Sequence, residues 1–172
     1  MSVRSIRPLV RRQPRAFDRG LRASIRQQSA PTDELWLLGR ILFGALFVSA
    51  SIGFFADLPG STRYAEKRGM PQAKNAVILA GIAYLLGGAS VTLGIWGDLG
   101  ALLLIVTLIP VTFLMHKFWA ERDLEAKQIQ LSMFMKNIAL IGGAVLLFSF
   151  FARDTFGFGL PYTITDGVFS FR

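Results

Sequence analysis

The residues with most chemistry to offer flank a gap between two apolar runs. His116, Phe118 and Trp119 stand at the end of one run, and Lys136 and Asn137 open the next. If both runs are helices joined as a hairpin, the two sets meet at one end of it. An imidazole, an ammonium, an amide and two aromatic rings brought together there form a candidate binding site. An interfacial belt of aromatics and a lysine places the same residue types at this level, so an anchoring role stands beside the binding one. Tyr84, in the middle of another run, needs a partner for its hydroxyl, either a freed carbonyl or a threonine on a neighbouring helix, with packing as its alternative role. Arg40 lies about a turn and a half into the first run, where a long side chain can snorkel back to the headgroups as an anchor.

Other chemistry is removed by composition. The chain has no cysteine and one histidine, so disulfides, iron–sulfur clusters and thiolate nucleophiles are not available within it. A bis-histidine haem site cannot form within one copy; only a His116 pairing with Met115, Met133 or Met135 stays formally open. No cluster of ligands has the spacing a metal site needs, and no glycine-rich loop has the form of a phosphate cradle. No residue is assigned a catalytic role. The net charge of +8 is concentrated beside an apolar run, which fits lipid or an acidic protein partner better than nucleic acid.

The elements that must position these residues are long and apolar. Hydrophobic residues make up 52% of the 172, and they gather in runs at 35–56, 75–96, 99–119 and 131–152. Each run has about 20 residues, enough at about 1.5 Å rise to cross a hydrocarbon core of about 30 Å. The runs do not alternate polar and apolar residues as barrel strands do, and NAVILAGIAYLLGGASVTLGIW has no charged face to offer water. The expected fold is therefore an all-α integral membrane bundle of four helices over 31–156, preceded by a basic tail over 1–30 and followed by a tail over 157–172. Small residues predict close helix contacts: Ala45, Ser49 and Gly53 in the first helix, Ala80, Ala83, Gly87 and Gly88 in the second, and Ala139 and Gly143 in the fourth. Pro110 predicts a kink in the third, with a hinge or ligand site as alternatives.

The tail holds Arg4, Arg7, Arg11, Arg12, Arg15, Arg19, Arg22 and Arg26 against the single acid Asp18, which predicts a cytoplasmic amino terminus; four crossings return the carboxyl terminus to the same side. Arg15, Arg19, Arg22 and Arg26 recur at helical spacing and are expected to contact anionic lipid or a partner protein. An arginine-rich start also has the composition of an organelle transit segment, which leaves the mitochondrial inner membrane open beside a bacterial cytoplasmic membrane.

MHKFWAERD followed by a loop and MKNIALIGG resembles the signature of DoxX-type membrane proteins. LLGRILFGALFVSASIGFF, the LLGG of the second helix and the terminal GFGLPYTITD extend the resemblance over roughly residues 35–166. It implies a four-helix membrane protein of bacteria or archaea, related to proteins some of which are subunits of thiosulfate:quinone oxidoreductase or associate with other redox enzymes. The chain departs from that pattern at Tyr84, where many members carry glutamate, and in the GFF of the first helix, where a lysine after the glycine is common. Two readings follow. In one the chain is a non-catalytic accessory or structural subunit packed against other membrane subunits of a redox complex. In the other, His116, Lys136 and Asn137, with Tyr84 and the walls Phe118 and Trp119, hold a quinone headgroup. A transporter finds little support in one short unrepeated bundle.

Overall fold

A computed structural model describes the backbone over residues 15–152 and 162–169, and side chains from residue 32 onward within those bounds. Among the described residues five α-helices follow in order: α1 (Arg15–Ala56), α2 (Leu58–Lys67), α3 (Ala73–Leu93), α4 (Gly97–Met115) and α5 (Leu124–Ala152). Four segments are long and apolar enough to cross a membrane, Thr32–Ala56, Ala73–Leu93, Gly97–Ala120 and Leu124–Ala152. The molecule is thus an all-α, four-span membrane bundle. From Arg15 on, the basic segment is continuous with the first membrane helix. Arg4, Arg7, Arg11 and Arg12 lie outside the described residues, as do the side chains of Arg15, Arg19, Arg22 and Arg26.

The helix limits differ from the apolar runs wherever backbone chemistry intervenes. Gly94 (φ 67°) ends α3 in the left-handed conformation, its N–H bonding to the Ser90 carbonyl at 2.8 Å. The apolar run to Trp96 therefore does not stay helical to its end. Asp123 starts α5 about two turns before the apolar run, by accepting from the Ala126 N–H at 2.8 Å. The segment after the first span is a further short helix, α2, capped by Asp57, whose Oδ1 accepts from the Gly60 N–H at 2.9 Å. Helix α4 runs through Pro110 to Met115, and Thr107 and Thr112 donate back to the carbonyls of Leu103 and Leu108 at 2.8 and 2.6 Å.

Helix α1 packs on α3, α3 on α4 and α4 on α5. The α1–α3 contact is a backbone approach: a β-carbon on Gly88 would stand 2.8 Å from the Gly44 carbonyl oxygen, and one on Gly44 2.5 Å from that of Gly88. Without side chains the two helices meet at van der Waals distance. Ala80, Ala83, Gly87 and Gly88 are buried as the small-residue reading expected, but Ala45, Ser49 and Gly53 are exposed. The packing face of α1 is instead the row Arg40, Gly44, Phe47 and Ser51, all buried, with the Ser51 hydroxyl donating to the Gly81 carbonyl at 2.7 Å. In α5, Ala139 is exposed and Gly143 gives room to Phe43, which a β-carbon would meet at 3.0 Å. Phe43, Phe47, Tyr84 and Phe54 form a chain of rings through the core, with successive centroids 5.1, 5.1 and 5.8 Å apart.

Candidate functional site

Two polar clusters sit at opposite ends of the bundle. The first surrounds a cavity of about 470 Å³ at the α2 end, lined by all five helices. Its walls are mostly apolar: Phe47 and Phe54 from α1, Ala80 from α3, Leu108 from α4 and Leu140 from α5. Helix α2 covers it with Ser61, Tyr64 and Ala65.

Of the residues expected to form a site, Tyr84, His116, Lys136 and Asn137 line this cavity. Tyr84 is 6% exposed and Asn137 is 5% exposed. Among the described residues no hydrogen bond reaches the hydroxyl of Tyr84 or the amide of Asn137. The partner expected for the Tyr84 hydroxyl, a freed carbonyl or a threonine, is not there; its ring instead packs edge-on against Phe47. Among the described residues the enclosed side-chain polar atoms without a partner are the hydroxyls of Thr62 and Thr92; the polar side-chain atoms of Tyr84 and Asn137 are accessible on the cavity they line, where they can serve a ligand's polar atoms.

His116 ends α4. Its Nδ1 lies 3.0 Å from Oε1 of Gln130 on α5, itself 6% exposed. With a carbonyl oxygen opposite, Nδ1 carries the hydrogen and donates, leaving Nε2 as an acceptor. Gln130 escaped the sequence reading because it precedes the apolar run, in the two turns that Asp123 adds to α5.

Phe118 and Trp119 do not line the cavity. Helix α4 stops at Met115 and a short 3₁₀ turn, Phe118–Ala120, carries both rings onto Phe134, with centroids 5.4 and 5.9 Å away. The ring walls of the cavity come from Phe47 and Phe54 instead. Above the cavity, Arg68 pairs with Glu121, tying the α2–α3 connection to the α4–α5 connection. The Arg68 guanidinium also lies 5.4 Å from the Tyr64 ring centroid. Partial burial works against its charge, but Glu121 and Tyr64 outweigh that and hold its proton more tightly than usual.

The second cluster gathers at the other end, where the bundle receives residues 162–169. Arg40 is no interfacial anchor: it is 1% exposed. Its Nε donates to the Val91 carbonyl at 3.0 Å, and Nη2 to the carbonyls of Thr92 at 3.0 Å and Tyr162 at 3.2 Å. Phe151 lies under it at 5.5 Å. The reason is the C-terminus of α3, whose last carbonyls lack helical partners and draw a fork of donors. Asp98, 0% exposed, begins α4 and accepts from the N–H groups of Leu99 at 2.9 Å and Phe169 at 2.6 Å. Thr165 accepts from the Trp96 N–H at 2.7 Å, and the N–H of Ile164 bonds to the Gly94 carbonyl at 3.0 Å. An acid between two apolar runs, in GDLG, was the available signal for Asp98. These hydrogen bonds close the end of the bundle, so the cavity is the stronger functional candidate.

Among the described residues no group of three or more His, Cys, Asp or Glu side chains is placed to hold a metal ion. Residues 35–117 match the family model described as DoxX, a segment that includes α2, α3, α4 and the buried part of α1. No curated protein and no solved structure matches the chain.

Proposed function

We propose, from the match of residues 35–117 to the DoxX family model, that the chain is a DoxX-type protein and a non-catalytic membrane subunit of a larger redox complex whose cavity at the α2 end receives a quinone headgroup. The carrying observation is the cavity itself, largely apolar and bordered by a Tyr84 hydroxyl and an Asn137 amide that have no partner among the described residues. A quinone carbonyl accepts hydrogen bonds, which Tyr84, Asn137 and Lys136 can donate, and its ring is served by Phe47 and Phe54. Nε2 of His116 complements them as an acceptor for a quinol hydroxyl. The chain has no cysteine to hold an iron–sulfur cluster, and in this reading partner subunits move the electrons.

In this reading the protein lies in a bacterial cytoplasmic membrane with both termini inside, since lysine and arginine near the first span favour the cytoplasmic side. The cavity then opens toward the outer leaflet. The positive charge of Arg15, Arg19, Arg22 and Arg26 suits binding to anionic lipid or to an acidic partner subunit on the inner side.

Purified protein in lipid nanodiscs, titrated with a short-chain quinone analogue, tests the cavity. Binding is expected to saturate, and His116→Ala and Tyr84→Phe to weaken it about tenfold, equal to the loss of one good hydrogen bond. Equal binding in both variants would remove the site. Extraction in mild detergent tests the assembly: co-purification with other membrane subunits is expected, and isolation solely as a free monomer opposes it.

A further inference from the structure

The cavity carries an imbalance of charge that narrows its ligand. Lys136 is the only formally charged side chain among the residues lining it, and no aspartate or glutamate lines it. Among the described residues the Lys136 ammonium has neither an ion-pair nor a hydrogen-bond partner. Glu121, in the connection between α4 and α5, is engaged by Arg68. Lys136 is exposed, while Asn137, the next residue, faces the cavity almost fully buried. A cation beside an apolar hollow favours an anion there, because charge attraction strengthens as water is excluded. Tyr84 and Asn137 supply neutral donors to the same anion, and hydrogen bonds to a charged oxygen are stronger than those to a neutral carbonyl.

Resting on the quinone reading above, we propose that this cavity selects an acidic hydroxyquinone bound as its anion over a neutral quinone of the same size. Lys136 supplies the countercharge, and Tyr84 and Asn137 donate to the oxygens over which the negative charge is shared. The apolar walls from α1 and α4 take the ring and the start of its tail.

The test uses the full chain in nanodiscs of neutral lipid, with empty nanodiscs as the partition control. Two probes are titrated at neutral pH: a 3-alkyl-2-hydroxy-1,4-naphthoquinone and its 2-methoxy ether, which differ in their ability to ionise. The hydroxy compound is expected to bind at least tenfold more tightly, and its visible absorption when bound is expected to be that of the ionised ring. Lys136→Gln is expected to abolish the preference, lowering the affinity for the hydroxy compound about tenfold more than that for the ether, and Lys136→Arg to retain it. Equal affinity for the two probes in the wild type overturns the proposal and leaves the quinone reading standing. A preference that survives Lys136→Gln overturns the assignment of the countercharge. If neither probe binds, the quinone reading falls and this proposal with it.

Discussion

The carboxylate of Asp98 accepts a 2.6 Å hydrogen bond from the backbone N–H of Phe169, joining the start of α4 to the end of the described chain. The same carboxylate accepts from Leu99 at 2.9 Å, so one buried group satisfies two backbone donors. Asp98→Ala leaves both without an acceptor, at a cost of about 2–5 kcal/mol. Asp98→Asn keeps one carbonyl oxygen and is expected to cost less. Thermal unfolding in detergent checks the order, and limited proteolysis is expected to cut the C-terminal segment of Asp98→Ala fastest.

Arg40 spans α1, α3 and the C-terminal segment through three carbonyls. Lysine has one ammonium on a flexible stem and cannot reproduce a planar fork. Arg40→Lys is therefore expected to destabilise the bundle by about 2 kcal/mol although the charge is kept. A midpoint equal to the wild type's would show that charge, not fork geometry, is what this position requires.

Gly88 and Gly53 offer a matched pair. A methyl group on Gly88 meets the Gly44 carbonyl, Phe47 and Val48, whereas one on Gly53 meets nothing within 4 Å. Gly88→Ala must push α1 from α3 and is expected to cost about 1–3 kcal/mol. Gly53→Ala removes backbone freedom from the unfolded chain and is expected to be neutral or to stabilise by up to about 1 kcal/mol. Unfolding midpoints of the two variants, measured side by side, check the sign as well as the size.

The Tyr84 hydroxyl separates stability from binding. With no hydrogen bond to lose among the described residues, Tyr84→Phe is expected to change stability by less than about 1 kcal/mol while weakening the quinone analogue. A large loss of stability would mean that the hydroxyl has a structural partner and would weaken the case for it as a ligand contact.

The Arg68–Glu121 pair is partly exposed, with side chains 22% and 23% accessible. Exposed pairs contribute about 1 kcal/mol or less, so Arg68→Ala is expected to leave the unfolding midpoint almost unchanged. Its effect is local: amide hydrogen exchange over α2 is expected to quicken, because the pair ties the α2–α3 connection across the cavity. Unaltered exchange there would show that α2 is held by its apolar contacts alone.

Much of this architecture was legible in the residues, because a span must be long, apolar and uncharged, and those properties are local. The four runs, the all-α class, the family resemblance and the candidates His116, Lys136, Asn137 and Tyr84 all followed from one-dimensional pattern. What pattern could not supply was rotation about each helix axis and the behaviour of chain ends. Ala45, Ser49 and Gly53 form as plausible a packing stripe as Arg40, Gly44, Phe47 and Ser51; only contact with α3 decided that the second row faces inward. In lipid both faces of a helix are apolar, so hydropathy carries no direction. Arg40 is an anchor or a buried clamp according to whether carbonyls at the end of α3 need donors, which is a property of two helices together. Phe118 and Trp119 left the expected site because α4 ended at Met115 and turned them onto Phe134. The sequence by itself determined that this chain crosses a membrane four times and which polar residues accompany it. The tertiary structure alone decided which of them share a cavity, because that depends on contacts between helices distant along the chain.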